Sequence, residues 1–171
     1  AALRVAPRPR RVLDERDRRD EQVVRVAPGA VEPVDVGAAV GGVQLPAEVD
    51  GNNVGLAGAL PPSLGELGSS LTYLDLNSNA ITSVPTEIGA LTGLKELDLF
   101  NNAITSVPTE LGFLTGLTRL NLRHTDLTSV PTELGALTGL RILDLGYNAI
   151  SSVPTELRAL TSPGLVYLAL N

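Results

Sequence analysis

The chain has no cysteine, so no disulfide framework, thiolate metal site or cysteine nucleophile can be built, and a reducing compartment suits it. Positive charge is scarce: 13 Lys and Arg stand against 19 Asp and Glu, for a formal charge of −6. A phosphate backbone needs clustered cations to release its counterions, so nucleic acid is not an expected partner. No apolar run approaches the ~18 residues that span a bilayer. The opening stretch Ala1–Arg11 carries four arginines and no apolar run of the secretory kind. No Asn-x-Ser/Thr sequon occurs. A cytoplasmic protein is the expectation. Aromatic residues make up only 3% of the chain, so the place of each one is informative.

What is abundant is leucine, in register. Four units recur at 71–93, 94–116, 117–139 and 140–164, followed by a half unit at 165–171. The first three are 23 residues long; the fourth gains two at Ser162-Pro163-Gly164. Each opens with L-x-x-L-x-L, as in Leu94, Leu97 and Leu99, and alternation at period two predicts a short strand with one buried side. Asn79, Asn102 and Asn148 follow at a fixed offset, where an amide can satisfy backbone groups of two neighbouring coils; Thr125 interrupts that ladder. The second half reads V-P-T-E-[IL]-x-x-L. It predicts a one- to two-turn helix with proline at its first position, Glu at the positive end of its dipole, and Gly93, Gly116 and Gly139 as stops.

These residues resemble the leucine-rich-repeat family over Leu71–Asn171, and more weakly over Val49–Ser70. The 23-residue V-P-T-E-[IL] unit is similar to the intracellular Ras-suppressor and scribble-like group. Leu56–Pro61, with its longer L-x-G-x-L-P spacing, resembles the plant receptor-like repeat. The resemblance implies an α/β fold: a right-handed solenoid with a parallel β-sheet on the concave face and short helices or 3-10 turns on the convex one. The domain then covers 46–171, with 46–70 a degenerate first repeat. Residues 1–45 lack the repeat and hold eight Arg and no Lys. Their composition predicts a disordered arm, or a loose helix over Arg10–Val26 with i, i+4 ion pairs. The uncovered leucines of the last half unit predict a longer parent chain or some other cap.

Strand side chains that flank the buried leucines face outward in columns. One column is Tyr73, Glu96, Arg119, Ile142 and Tyr167; the next contains Asp75, Asp98 and Asp144; beyond lie Phe100, Arg123, His124 and Tyr147. Exposed aromatics make interface anchors, and an Asp stripe suits a basic partner. These twelve residues form the candidate partner-binding set, with Tyr73, Phe100 and Tyr147 as the anchors. The resemblance suggests a small GTPase, kinase or phosphatase as partner in signalling, or else a ligand-binding piece of a receptor-like ectodomain. No catalytic residue, metal or cofactor is expected, since a shallow curved sheet excludes water poorly. Threonine rows on the convex side, including Thr86, Thr109, Thr132 and Thr155, leave an ice or polysaccharide binder as a weaker alternative.

Overall fold

The computed structural model describes residues 23–25, 47–161 and 165–170. Nine short strands occur among them: β1 (Val23–Arg25), β2 (Glu48–Asp50), β3 (Ala57–Ala59), β4 (Tyr73–Asp75), β5 (Ala80–Ser83), β6 (Glu96–Asp98), β7 (Arg119–Asn121), β8 (Ile142–Asp144) and β9 (Tyr167–Ala169). Seven form one parallel sheet in the order β1-β2-β4-β6-β7-β8-β9. A parallel neighbour requires a crossover, and here each crossover is one coil of the solenoid. Strand registers run straight through, with Leu74 beside Leu97, then Leu120, Leu143 and Leu168.

The leucine spine is the core. In the coil from Leu71 to Gly93, seven apolar side chains are buried: Leu71, Leu74, Leu76, Ile81, Val84, Ile88 and Leu91. The equivalent seven are buried in each of the next two coils. Such a coil has no apolar interior of its own; its spine is covered only by the coils on either side. In the coil of β9 the spine residues Leu168 and Leu170 are exposed.

Opposite the sheet, the predicted helices are five-residue 3-10 turns at Thr86–Ala90, Thr109–Phe113 and Thr132–Ala136. Two details of the expectation are corrected. Pro85, Pro108 and Pro131 are extended cap residues preceding the turn, not its first position. The stops do not need the repeat-closing glycines, because the capping residues are Leu91, Leu114 and Leu137. Gly93 is required by proximity instead: a Cβ there would collide with the carbonyl oxygen of Ser69. A second glycine row lies inside the turns. At Gly65, Gly89, Gly112 and Gly135 a Cβ would fall 2.6–2.9 Å from atoms of Glu87, Glu110, Glu133 and Glu156 in the following coil. Bare backbone at these positions sets how closely the convex sides stack.

The first complete coil takes 25 residues from Val49 to Leu74, as does the last from Leu143 to Leu168, against 23 in each of the three between them. The extra length of the first accompanies a second small sheet, in which β3 pairs with β5 and the register shifts between Gly58 and Ala59. The arm predicted as disordered or loosely helical is also corrected in one place. Val23–Arg25 is a strand, paired in parallel with Glu48–Asp50 at the sheet edge. The rest of 1–45 lies outside the described residues.

The asparagine ladder ties coils as predicted. Asn102 accepts the Ile81 N–H at 3.0 Å and donates to the Leu76 and Leu99 carbonyls, both at 3.0 Å. Asn79 and Asn148 repeat the pattern. The Thr125 hydroxyl has one proton for two acceptors, the Leu122 carbonyl at 3.0 Å and Asn148 Oδ1 at 2.6 Å. Among the described residues its side chain makes no hydrogen bond to the preceding coil. We therefore expect Thr125→Asn to add bonds to the Leu99 carbonyl and the Ile104 N–H. The net gain is about 1 kcal/mol, raising Tm by ~2–4 °C. Thermal unfolding followed by circular dichroism checks this, and an unchanged or lower Tm would contradict the ladder's energetic role.

Candidate functional site

The open face of the sheet is built by strict register, so the predicted columns are real. Tyr73, Glu96, Arg119, Ile142 and Tyr167 are successive neighbours, as are Asp75, Asp98, Asn121, Asp144 and Ala169. The second column is largely occupied with the chain's own backbone. Asp75 accepts the N–H two residues on, from Asn77, at 3.0 Å; Asp98 does so from Phe100 at 2.9 Å, Asn121 from Arg123 at 3.2 Å and Asp144 from Gly146 at 3.0 Å. These Asx turns bend the chain out of each strand. Asp75 is buried and also accepts the Asn77 amide and the Tyr73 hydroxyl. It belongs to the scaffold more than to any free acidic stripe.

Tyr73 stands apart from the other predicted anchors. Half-buried, it donates its hydroxyl to Asp75 Oδ2 at 3.3 Å. Burial, reinforced by the negative charges of Asp75, Asp98 and Glu96, pushes its phenol up to about 12. Its neighbourhood is thus acidic and carries no cation within the strands β2, β4 and β6.

The residues that do come together lie past the ends of β6, β7 and β8. The His124 ring sits 6.0 Å from that of Tyr147, nearly parallel at 8°, and meets Phe100 edge-on at 6.2 Å. Arg123 places its guanidinium 4.5 Å from the centre of the Tyr147 ring, a cation–π geometry. Arg123 also approaches Asp144 at 3.8 Å, and Arg119 approaches Asp98 at 3.9 Å. Both contacts are long and leave the arginine side chains 39% and 46% exposed, so further hydrogen bonds are open to them. Tyr147 is 65% exposed.

Backbone conformation makes this cluster unusual. Ser78, Asn101, His124 and Tyr147 occupy one position of successive coils, each left-handed with φ between 54° and 56°. Their N–H groups continue the sheet ladder: Ser78 donates to the Phe100 carbonyl, Asn101 to that of Arg123 and His124 to that of Gly146. Asparagine and histidine are at ease in this region, whereas a tyrosine ring is not. Two adjacent coils carry an aromatic ring there, and that of Tyr147 is the uncommon one.

Next to Tyr147, glycine replaces the Asn77, Phe100 and Arg123 of the third column. The gap at Gly146 opens a depression of roughly 490 Å³, lined by Arg123, Gly146, Tyr147, Asn148, Tyr167 and Ala169. Sequence reasoning named Arg123, Tyr147 and Tyr167 but missed Gly146, Asn148 and Ala169. The break at Gly146 in an otherwise side-chain-bearing column was the available signal. Glu96 and Ile142 keep their half-buried places in the first column, outside the ring cluster.

Nothing among the described residues resembles a metal site; no group of three His, Cys, Asp or Glu could hold an ion. On the convex side, Thr86, Thr109, Thr132 and Thr155 donate their hydroxyls to the adjacent Glu87, Glu110, Glu133 and Glu156 at 3.0–3.3 Å. That local use makes the threonine row a poor lattice of free hydroxyls.

A coiled ribbon of parallel strands with one uncovered face defines a solenoid class whose surface serves recognition. A family model described as a leucine-rich repeat region matches residues 61–162, and the chain belongs to the leucine-rich-repeat family. It is similar in structure to a leucine-rich-repeat protein of Leptospira interrogans, at 37% identity and TM-score 0.65, over 70% of this chain and 30% of that one. It is also similar to the ectodomain of the receptor kinase GASSHO1/SCHENGEN3 of Arabidopsis thaliana, solved in complex with casparian strip integrity factor 2. That match is 30% identical with TM-score 0.69, over 85% of this chain and 18% of that one. A third likeness is to an internalin of Listeria monocytogenes, at 25% identity and TM-score 0.60, covering 74% and 36%. The chain thus spans less than a third of the first two of these structures. Among curated proteins none matches significantly. Domains of this family are generally modules for protein–protein interaction, and no catalytic family is indicated.

Proposed function

We propose that this chain is a non-catalytic binding module that holds a protein partner on its concave face, with Phe100, His124, Tyr147 and Arg123 as the anchoring group. One observation carries the reading: the exposed rings of His124 and Tyr147 stack beside Phe100 and the Arg123 guanidinium. The left-handed bend is common to successive coils, and at Tyr147 it is occupied by a bulky ring at a cost of about 1 kcal/mol. The rings supply rigid apolar area next to a cation, the composition of an interface hot spot. The V-P-T-E-[IL] turns support a scaffold role in signalling, with a small GTPase, kinase or phosphatase as partner.

Affinity purification with the intact chain tests this. Phe100→Ala combined with Tyr147→Asn is expected to lose the captured partner, since asparagine tolerates the left-handed region and preserves the fold. Phe113→Ala, on the exposed convex side, is expected to keep it. Equal capture by all three proteins would remove the concave face from consideration.

A second reading, a ligand-binding piece of a receptor-like protein or kinase, is favoured by the longer first coil, with its paired β3 and β5, and by the likeness to the GASSHO1/SCHENGEN3 ectodomain. A captured ligand of peptide size would favour it; a folded signalling protein would favour the scaffold.

A further inference from the structure

The concave face is electrically divided along the solenoid axis. The edge strand β1 brings Arg25 into register beside Asp50, and strands β2, β4 and β6 then contribute Glu48, Asp50, Asp75, Glu96 and Asp98 and no basic residue. The following coil contributes Arg119 and Arg123, whose acidic neighbours Asp98 and Asp144 stand at 3.9 and 3.8 Å, too far for short charge-assisted hydrogen bonds. Beyond it, β8 and β9 add only Asp144, and the depression beside Gly146 lies between two tyrosines with Arg123 on its wall. From β2 onward the order across the face is therefore acidic, then basic, then an aromatic notch.

We infer that the face binds an extended peptide segment of its partner in one direction, with a basic side chain over β4 and β6, an acidic side chain at Arg119 and Arg123, and the next side chain in the Gly146 notch. This deepens the proposed function and rests on its assignment of the concave face.

Strand spacing sets the recognised pattern. The acidic and basic stations are one to two strand steps apart, ~5–10 Å at ~4.8 Å per step, and an extended peptide rises ~3.3 Å per residue. The segment should therefore carry Lys or Arg and Asp or Glu about two to three residues apart. Reversing the peptide sets acid against acid and base against base, so direction is selected by repulsion as well as attraction. The Arg123 guanidinium is held over the Tyr147 ring at 4.5 Å and needs little ordering to meet a carboxylate at the notch. The raised phenol of Tyr73 reports the negative field at the other end, since Asp75, Asp98 and Glu96 all contribute to it.

The test is a random peptide library displayed on phage and selected on the intact chain, with binders remade as labelled synthetic peptides. Enriched sequences are expected to pair a basic and an acidic residue at about that spacing and to bind more weakly as salt rises. Arg119→Glu with Arg123→Glu should weaken them about tenfold, and changing the peptide's acidic residue to Lys should recover affinity for that variant. Arg119→Gln with Arg123→Gln, which removes charge without repulsion, should give a smaller loss, and circular dichroism confirms that both variants fold. Binders that are uncharged or of one sign, or that ignore the arginine variants while still losing affinity to Phe100→Ala with Tyr147→Asn, overturn the directional inference and leave the concave reading standing. Binders indifferent to all these changes, or a library that yields none, overturn both.

Discussion

Replacing Leu120 with glutamate should unfold the middle of the solenoid. Leu120 is fully buried in β7, between Leu97 of one coil and Leu143 of the next. The substitution removes an apolar side chain worth about 2–3 kcal/mol of burial and leaves a carboxylate with no counter-ion in the leucine spine, a further cost of several kcal/mol. The sum approaches the ~5–15 kcal/mol by which a whole domain is stable. Because each coil is supported only by its neighbours, the damage should spread to the coils of β6 and β8 before the ends. Loss of the cooperative thermal transition, with hydrogen-exchange protection vanishing first around Leu97, Leu120 and Leu143, is the expected result. A melting curve matching that of the parent would show that these leucines do not point inward.

A smaller group makes the second large effect. Gly112→Ala places a methyl group 2.6 Å from the Glu133 carbonyl oxygen, a backbone atom that cannot swing aside. Overpacking of this kind costs about 1–3 kcal/mol, against which alanine recovers about 0.4–1 kcal/mol by restricting the unfolded chain. A net loss of about 1–2 kcal/mol lowers Tm by ~2–8 °C. Gly116→Ala is the matched control, because its closest neighbour is the flexible Lys95 ammonium at 2.9 Å and the next atom is 3.7 Å away. It should be neutral. Equal melting temperatures for the two variants would mean that the convex turns stack more loosely than the glycine row implies.

The two glycine rows show where sequence reasoning reached and where it stopped. A 23-residue recurrence fixes which residues are neighbours across a parallel sheet, so the strand columns and the asparagine ladder could be read in advance. Recurrence says that a glycine matters but not why. The repeat reads Gly93 as a helix stop, when the reason is the Ser69 carbonyl one coil away, and it gives no role to Gly89, Gly112 and Gly135, which set the stacking distance. The site divides in the same way. That Phe100, Arg123 and Tyr147 share a surface follows from register. That Arg123 crosses diagonally to Tyr147 while Asp75 turns back on Asn77 depends on rotamers and on the left-handed bend after each strand, which register alone does not give. Register groups Tyr73 with the other aromatics because it gives position alone, whereas a carboxylate beside the ring ties its hydroxyl down.

The sheet ladder and the asparagine ties join each coil only to the one before and the one after. A pull applied to the two ends therefore loads these joints in series, like the teeth of a zipper, and each gives way separately. The molecule should lengthen under tension in a staircase of short, similar increments, and re-form them in reverse when the load is released.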